Sequence, residues 1–150
     1  MTTFKRTNSA DEDFKKLVAL LDVGLRELDG EAHAFYAQFN KLIDIKTVIV
    51  CYVDDVPIAC GAFKEYSSQQ VEIKRMFVLP QNRGQGTGHL VLKELEVWAA
   101  ALHYKTCILE TGKRQPDAIS LYKKAGYHII ENFGSYKEDE NSVCMAKDIL

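Results

Sequence analysis

The stretch VLPQNRGQGTGHLVLKEL, residues 78–95, decides the fold. It sets three glycines in five positions (Gly84, Gly86, Gly88) beside Arg83, between an apolar β-type run and an amphipathic one. Pro80 ends the strand, because it lacks the N–H that a ladder needs. Val91, Leu95, Trp98 and Leu102 then recur at spacings of four, three and four, which is one helical stripe. A strand that passes through glycines into a helix leaves main-chain N–H groups open at the helix N-terminus, where partial positive charge collects. Glycines also remove the Cβ atoms that would hold an anion away. The predicted product is an anion site suited to phosphate. Arg83 adds a full charge with forked donors. A plain tight turn does not need three glycines, given their entropic cost.

Two familiar phosphate loops are excluded by spacing. The dinucleotide fingerprint needs G-x-G-x-x-G after a first strand, whereas this chain has G-x-G-x-G after its fourth. A Walker loop needs a lysine and a Ser/Thr after the last glycine, and His89 and Leu90 stand there. A pyrophosphate site on another α/β fold remains.

Working outward, Thr3 to Thr7 reads as a first strand. Ser9-Ala10-Asp11-Glu12 reads as a capping box. Phe14, Leu17, Val18, Leu21, Leu25 and Leu28 follow at helical spacing up to Gly30, a helix stop. Glu31 to Asn40 is a second, aromatic helical stretch. Thr47 to Val53, Val56 to Tyr66 and Val71 to Leu79 form a strand meander, turned by Asp54-Asp55 and Ser67-Ser68. Beyond the 78–95 stretch, Lys105 to Thr111 is a strand. Pro116 opens a helix that Gly126 closes, the expected asymmetry. Tyr127 to Glu131 and Ser142 to Asp148 form a closing strand pair. The order β-α-α-β-β-β-α-β-α-β-β predicts an α/β domain spanning residues 1–150, with helices on the faces of a mixed sheet.

Composition narrows the function classes. A net charge of −2 argues against a nucleic-acid surface. No apolar run approaches the roughly 18 residues of a membrane span, and the N-terminus lacks a signal-peptide core, so a cytoplasmic protein with no membrane partner is expected. The four cysteines form no C-x-x-C pair and lie mostly in apolar runs, so buried free thiols are expected. The histidines show no metal-ligand spacing, so no metal is expected.

Gln81-Asn82-Arg83-Gly84-Gln85-Gly86 resembles the Q/R-x-x-G-x-G/A acyl-CoA signature of the GNAT superfamily of N-acetyltransferases. EIKRMFVLP resembles that family's fourth strand. LETG and AISLYKKAGY resemble its fifth strand and the helix after it, so the likeness covers essentially the whole chain. Gln115 departs from the asparagine that many members carry before that helix, which leaves one cofactor contact open.

The resemblance implies a sheet whose fourth and fifth strands diverge after a bulge, with acetyl-CoA as acyl donor in the opening. The pantetheine arm would pair with main-chain groups of Met76, Phe77 and Val78, as an added strand does. The pyrophosphate would rest on Arg83, Gly84, Gln85, Gly86, Thr87, Gly88 and His89. Gln115 would add a cofactor contact. Lys113 and Arg114 either reach the ribose phosphate or stand as solvated charges.

A primary amine is neutral in only about one part in 10³ at pH 7, so a base is useful. Glu72 aligns with a fourth-strand glutamate that is the base in some members; otherwise it faces solvent or pairs with Lys64 or Lys74, and ordered waters take the proton. Glu110 is a second candidate, or is held by Lys105 or Arg75. Tyr122 stands where the family often has a tyrosine that protonates the CoA sulfur; otherwise it packs with Leu121 and Ala125.

On the acceptor side, His33, Tyr36 and Asn40 share one helical face, which is either an acceptor-binding face or an ordinary aromatic rim. Tyr136 and Asn141 could border the same acceptor. The leading expectation is an acetyl-CoA-dependent N-acetyltransferase acting on a small or amino-acid-like amine, since the chain is compact and shows no recruitment domain. Acetylation of a protein lysine or N-terminus is the alternative, and a non-catalytic acyl-CoA sensor is another. A homodimer through an edge strand near the C-terminus is compatible with all three.

Overall fold

The structure, a computed structural model, describes residues 1–29 and 44–150. Its strands are β1 (Thr2–Thr7), β2 (Thr47–Val53), β3 (Val56–Glu65), β4 (Gln70–Val78), β5 (Thr106–Gly112), β6 (His128–Ile130) and β7 (Ser142–Asp148). The helices described are α1 (Glu12–Asp29), α2 (Thr87–Ala101) and α3 (Pro116–Lys124). The strand order is β1-β2-β3-β4-β5-β7-β6. β4 and β5 run parallel, while β1–β2, β2–β3, β5–β7 and β6–β7 are antiparallel, so the sheet is mixed. Short 3₁₀ turns at Pro80–Asn82 and Gly134–Tyr136 are additions to the expected order. The expected helix Glu31 to Asn40 and its preceding Gly30 lie outside the described residues. The chain divides into two compact units, Met1–Lys64 with Lys74–Leu95, and Glu65–Ile73 with Glu96–Leu150.

In the first unit, the hairpin between β2 and β3 turns through Asp54 (φ 48°) and Asp55 (φ 68°). Two left-handed central residues suit the twist of a two-residue hairpin, and Asp tolerates that region better than most residues. The α1 cap differs from the expected box. Asp11, not Ser9, accepts from the Phe14 N–H (3.0 Å), and Asp11 also takes the Thr7 hydroxyl and the Lys5 ammonium. Burial alone would raise the Asp11 carboxyl; the Lys5, Phe14 and Thr7 hydrogen bonds outweigh it and hold the group below its usual range. Ser9 is buried, and its hydroxyl oxygen accepts from the Ile45 N–H at 3.0 Å. Phe14, Leu17 and Val18 of α1 pack with Val48, Val50, Cys60, Ala62 and Phe77.

α2 lies against β3 at Gly61 through Val91 and Leu95. A Cβ there would sit 2.6 Å from Met76 Sδ and 2.8 Å from Leu95 Cδ1, so the close approach requires glycine. The buried positions of α2 are Thr87, Val91, Leu92, Leu95, Glu96 and Ala99. The predicted stripe is therefore displaced. Leu102 is exposed, and a carboxylate falls on the buried side.

In the second unit, β4 pairs with β5 from Gln70↔Thr106 to Glu72↔Ile108, where that ladder stops. β5 pairs with β7 from Thr106↔Asp148 to Gly112↔Ser142. Directly paired residues share a face, as do residues two apart. The register therefore puts Glu72, Ile108, Glu110 and Cys144 on one face. Pro116 opens α3, and Gly126 follows it with φ 99°. All four cysteines are buried free thiols.

Candidate functional site

The glycine loop takes the geometry its sequence implies. Gly84 (φ 79°) and Gly86 (φ 81°) are left-handed, a region glycine enters without penalty. Nothing lies within 4 Å of where their Cβ atoms would be. Gly86 is the turn into α2, and its carbonyl accepts from the Leu90 N–H at 3.1 Å. The N–H groups of Thr87, Gly88 and His89 therefore precede the first intrahelical bond and have no acceptor within the helix. Gly88 is already helical. The loop's side-chain charge is drawn back toward β4. Arg83 Nε donates to the Val78 carbonyl at 2.9 Å, and the guanidinium lies 5.6 Å from the Phe77 ring centroid. Gln85 and His89 are exposed, while Thr87 is buried.

β4 is bent just before the groups expected to meet pantetheine. Arg75 sits in the left-handed region (φ 60°) inside the strand. A non-glycine residue there is strained. Its guanidinium, 7% exposed, is anchored on Asp22 at 2.8 Å, and its carbonyl accepts from the Cys60 thiol at 3.4 Å. Met76, Phe77 and Val78 follow directly. The sequence offered Arg75 only as a possible partner of Glu110 and did not single out Asp22, because nothing in residue type marks a left-handed arginine in a strand.

In the second unit, Glu72 is buried (5% exposed), not solvent-facing. Its Oε2 accepts from the Tyr136 hydroxyl at 3.3 Å. Burial first, then the charges of Glu72 and Glu110, push the Tyr136 hydroxyl far above its ordinary range, so it stays a neutral donor. Tyr136, 7% exposed, thus meets the carboxylate itself. Phe133 packs edge-on against Tyr136 and against Tyr66. The Ser142 hydroxyl lies 2.7 Å from Glu110 Oε2 and 2.9 Å from Asp139 Oδ2, and its single hydrogen serves one of them at a time.

Tyr122 is the buried residue of α3, 7% exposed, with its ring edge-on to Tyr127 at 5.9 Å. Burial, and then the Glu110 charge, raise its hydroxyl well above the usual tyrosine range. Gln115 is the residue before α3; its carbonyl accepts from the Ile119 N–H and its side chain makes no cap. Lys113 and Arg114 are exposed, and so is Asn141, whose N–H bonds Asp139. His33, Tyr36 and Asn40 lie outside the described residues. Glu96, a buried carboxylate in α2, was also missed, although its helical spacing from Leu92 and Ala99 was a visible signal. Among the described residues no cluster could hold a metal ion, and no helix is long and apolar enough to cross a membrane.

The profile of the Acetyltransferase (GNAT) family matches residues 14–127. An IAA acetyltransferase of Azospirillum brasilense is 33% identical over 134 residues, covering 83% of this chain and 88% of the relative. A Klebsiella pneumoniae structure described as an acyl-CoA N-acyltransferase aligns with a TM-score of 0.85 at 30% identity, over 100% of this chain and 99% of that one. A GNAT family acetyltransferase from Elizabethkingia anophelis with acetyl-CoA bound aligns at a TM-score of 0.71 and 16% identity, over 98% and 97% of the two chains, a likeness of fold.

Proposed function

The chain belongs to the GNAT family of acetyltransferases, and from that premise we propose that it transfers the acetyl group of acetyl-CoA directly onto a primary amine of a small-molecule or amino-acid-like acceptor. The observation that carries the reading is the loop in which left-handed Gly84 and Gly86 deliver the chain from β4 into the open N-terminus of α2. Three N–H groups and the helix dipole there suit a pyrophosphate. The edge of Met76–Val78 suits the amide groups of pantetheine, and the Val78 carbonyl keeps a second lone pair beside its bond to Arg83. The name of the Azospirillum relative favours a small acceptor.

Two protons leave the amine nitrogen in this chemistry, and one reaches the leaving sulfur. Deprotonating an ammonium of lysine-like pKa at pH 7 costs about 4 kcal/mol. Glu72 takes that proton in this reading, its carboxylate oriented by the Tyr136 hydroxyl. The neutral amine attacks the thioester carbonyl and forms the C–N bond; as the tetrahedral adduct collapses and the C–S bond breaks, the nitrogen gives up a second proton, which restores the tyrosine that protonates the sulfur. The leaving thiolate takes the Tyr122 proton. Burial keeps Tyr122 protonated across the working pH range, so the proton is there to give.

The test is calorimetric titration of CoA into wild type and Gly86→Leu, with thiol release measured across an amine panel. Leucine at φ 81° forces the loop open, and the dissociation constant should rise more than tenfold, over about 1.4 kcal/mol. Unchanged CoA affinity would overturn the loop assignment. Release with peptides alone, and none with small amines, would overturn the acceptor class.

A further inference from the structure

Glu96 takes no part in the chemistry above, yet both of its oxygens are engaged. The carboxylate is 5% exposed; Oε1 accepts from Lys147 Nζ at 2.8 Å and Oε2 from the Tyr127 hydroxyl at 2.9 Å. A buried carboxylate is tolerable only when paired and hydrogen-bonded. Here the pairing converges on one point, the end of the Tyr127 side chain. Lys147 Nζ also lies 5.8 Å from the Tyr127 ring centroid.

Tyr127 in turn is fastened to Tyr122 twice. The Tyr127 N–H donates to the Tyr122 carbonyl at 2.9 Å, and the Gly126 N–H donates to the Lys123 carbonyl at 3.1 Å. With Gly126 left-handed, this pair of bonds is a Schellman closure of α3, a motif in which the residue after the glycine packs on the helix. The packing contact is ring on ring, Tyr127 against Tyr122 at 5.9 Å and 64°. α3 has only nine residues. A helix that short has little stability of its own, so what closes its end sets how its buried side chain points.

We infer that Glu96, with its charge balanced by Lys147, is a positioning residue for acetyl transfer: it anchors Tyr127, and through Tyr127 it holds the ring of Tyr122. The inference rests on the reading of Tyr122 as the acid that protonates the thiolate. Glu96 and Tyr127 touch neither substrate in this arrangement; they act through Tyr122.

A double-mutant cycle on turnover tests it. Tyr127→Phe keeps the ring contact and removes the hydroxyl that Glu96 holds. In the Tyr122-containing enzyme it should lower kcat by about tenfold, the scale of a small misplacement, and leave the KM for acetyl-CoA unchanged. In a Tyr122→Phe background it should lower kcat no further. Glu96→Gln, whose amide oxygen can still accept from Tyr127, should retain more turnover than Glu96→Ala. If Glu96→Ala does not fold, the Tyr127→Phe cycle decides alone. Equal losses in the two backgrounds, or full turnover in Tyr127→Phe, would overturn the positioning role while leaving Tyr122 as the acid. Full turnover in Tyr122→Phe by itself would remove the acid reading and this inference with it.

Discussion

Glu72 shows how much a single side chain's surroundings can decide. As a letter in a strand it is ambiguous between a solvated charge and a base. Its 5% exposure and the Tyr136 hydroxyl at 3.3 Å set the solvated reading aside. Glu72→Gln preserves shape and leaves an oxygen for Tyr136, so the fold should be little disturbed. If Glu72 takes the amine proton, the change should lower kcat by about 100-fold with acetyl-CoA affinity intact. The rise of turnover from acid to neutral pH should flatten as well. Initial rates from pH 6 to 9 with both proteins make the comparison. Full turnover in the glutamine variant would assign proton removal to water. The partnership with Tyr136 could not be read from the sequence, because the two residues are 64 positions apart. Only the fold brings them together.

Among the elements, β4 contributes most to the proposed donor site, and its decisive feature is conformational. Arg75 occupies the left-handed region at a cost of about 1–2 kcal/mol for a residue with a Cβ. The Asp22 ion pair and the Cys60 contact hold it there. Arg75→Gly removes both the strain and the anchor, and Arg75→Ala removes the anchor alone. The glycine variant should therefore keep CoA affinity near wild type, while the alanine variant loses several-fold as the bend relaxes. Equal affinities for the two variants would mean that the bend does not shape the donor site. Asp22→Ala should cost about 1–2 kcal/mol of stability, less than a fully buried pair because Asp22 is 40% exposed. Urea unfolding measures it. The strands themselves could be read from β-branched runs and turn residues: Thr47–Val53 and Ser142–Asp148 agree to the residue, and β3, β4 and β5 within one. The left-handed turn at Arg75 could not, since no residue type marks it; only the family resemblance implied a bulge in this region. The α1 cap shifted from Ser9 to Asp11 because the Ile45 N–H competes for the serine oxygen, a tertiary contact no local motif reveals.

Over the whole molecule, the cysteines connect composition to stability. Their placement in apolar runs already implied buried thiols, and burial now fixes the sign of a pH effect. The Cys60 and Cys107 thiols are pushed up to about 12, by burial first and for Cys107 also by the Glu96 charge. The Cys144 thiol is raised to about 11, again chiefly by burial. In the unfolded chain each titrates near 8.5, so above about pH 8.5 the unfolded state releases protons that the folded state keeps. Stability from these groups is complete below that value and falls as pH rises toward 11 to 12, by up to about 1.4 kcal/mol per pH unit for each thiol. Tyr122, Tyr127 and Tyr136, all raised by burial, add to the loss once the pH passes about 10. Denaturant midpoints at pH 8, 9 and 10 should therefore decline progressively. Cys60→Ala should start lower at pH 8, from its cavity, and decline less steeply. A midpoint that holds constant from pH 8 to 10 would mean that the thiols titrate alike in both states, and that these strands do not exclude water as their packing requires.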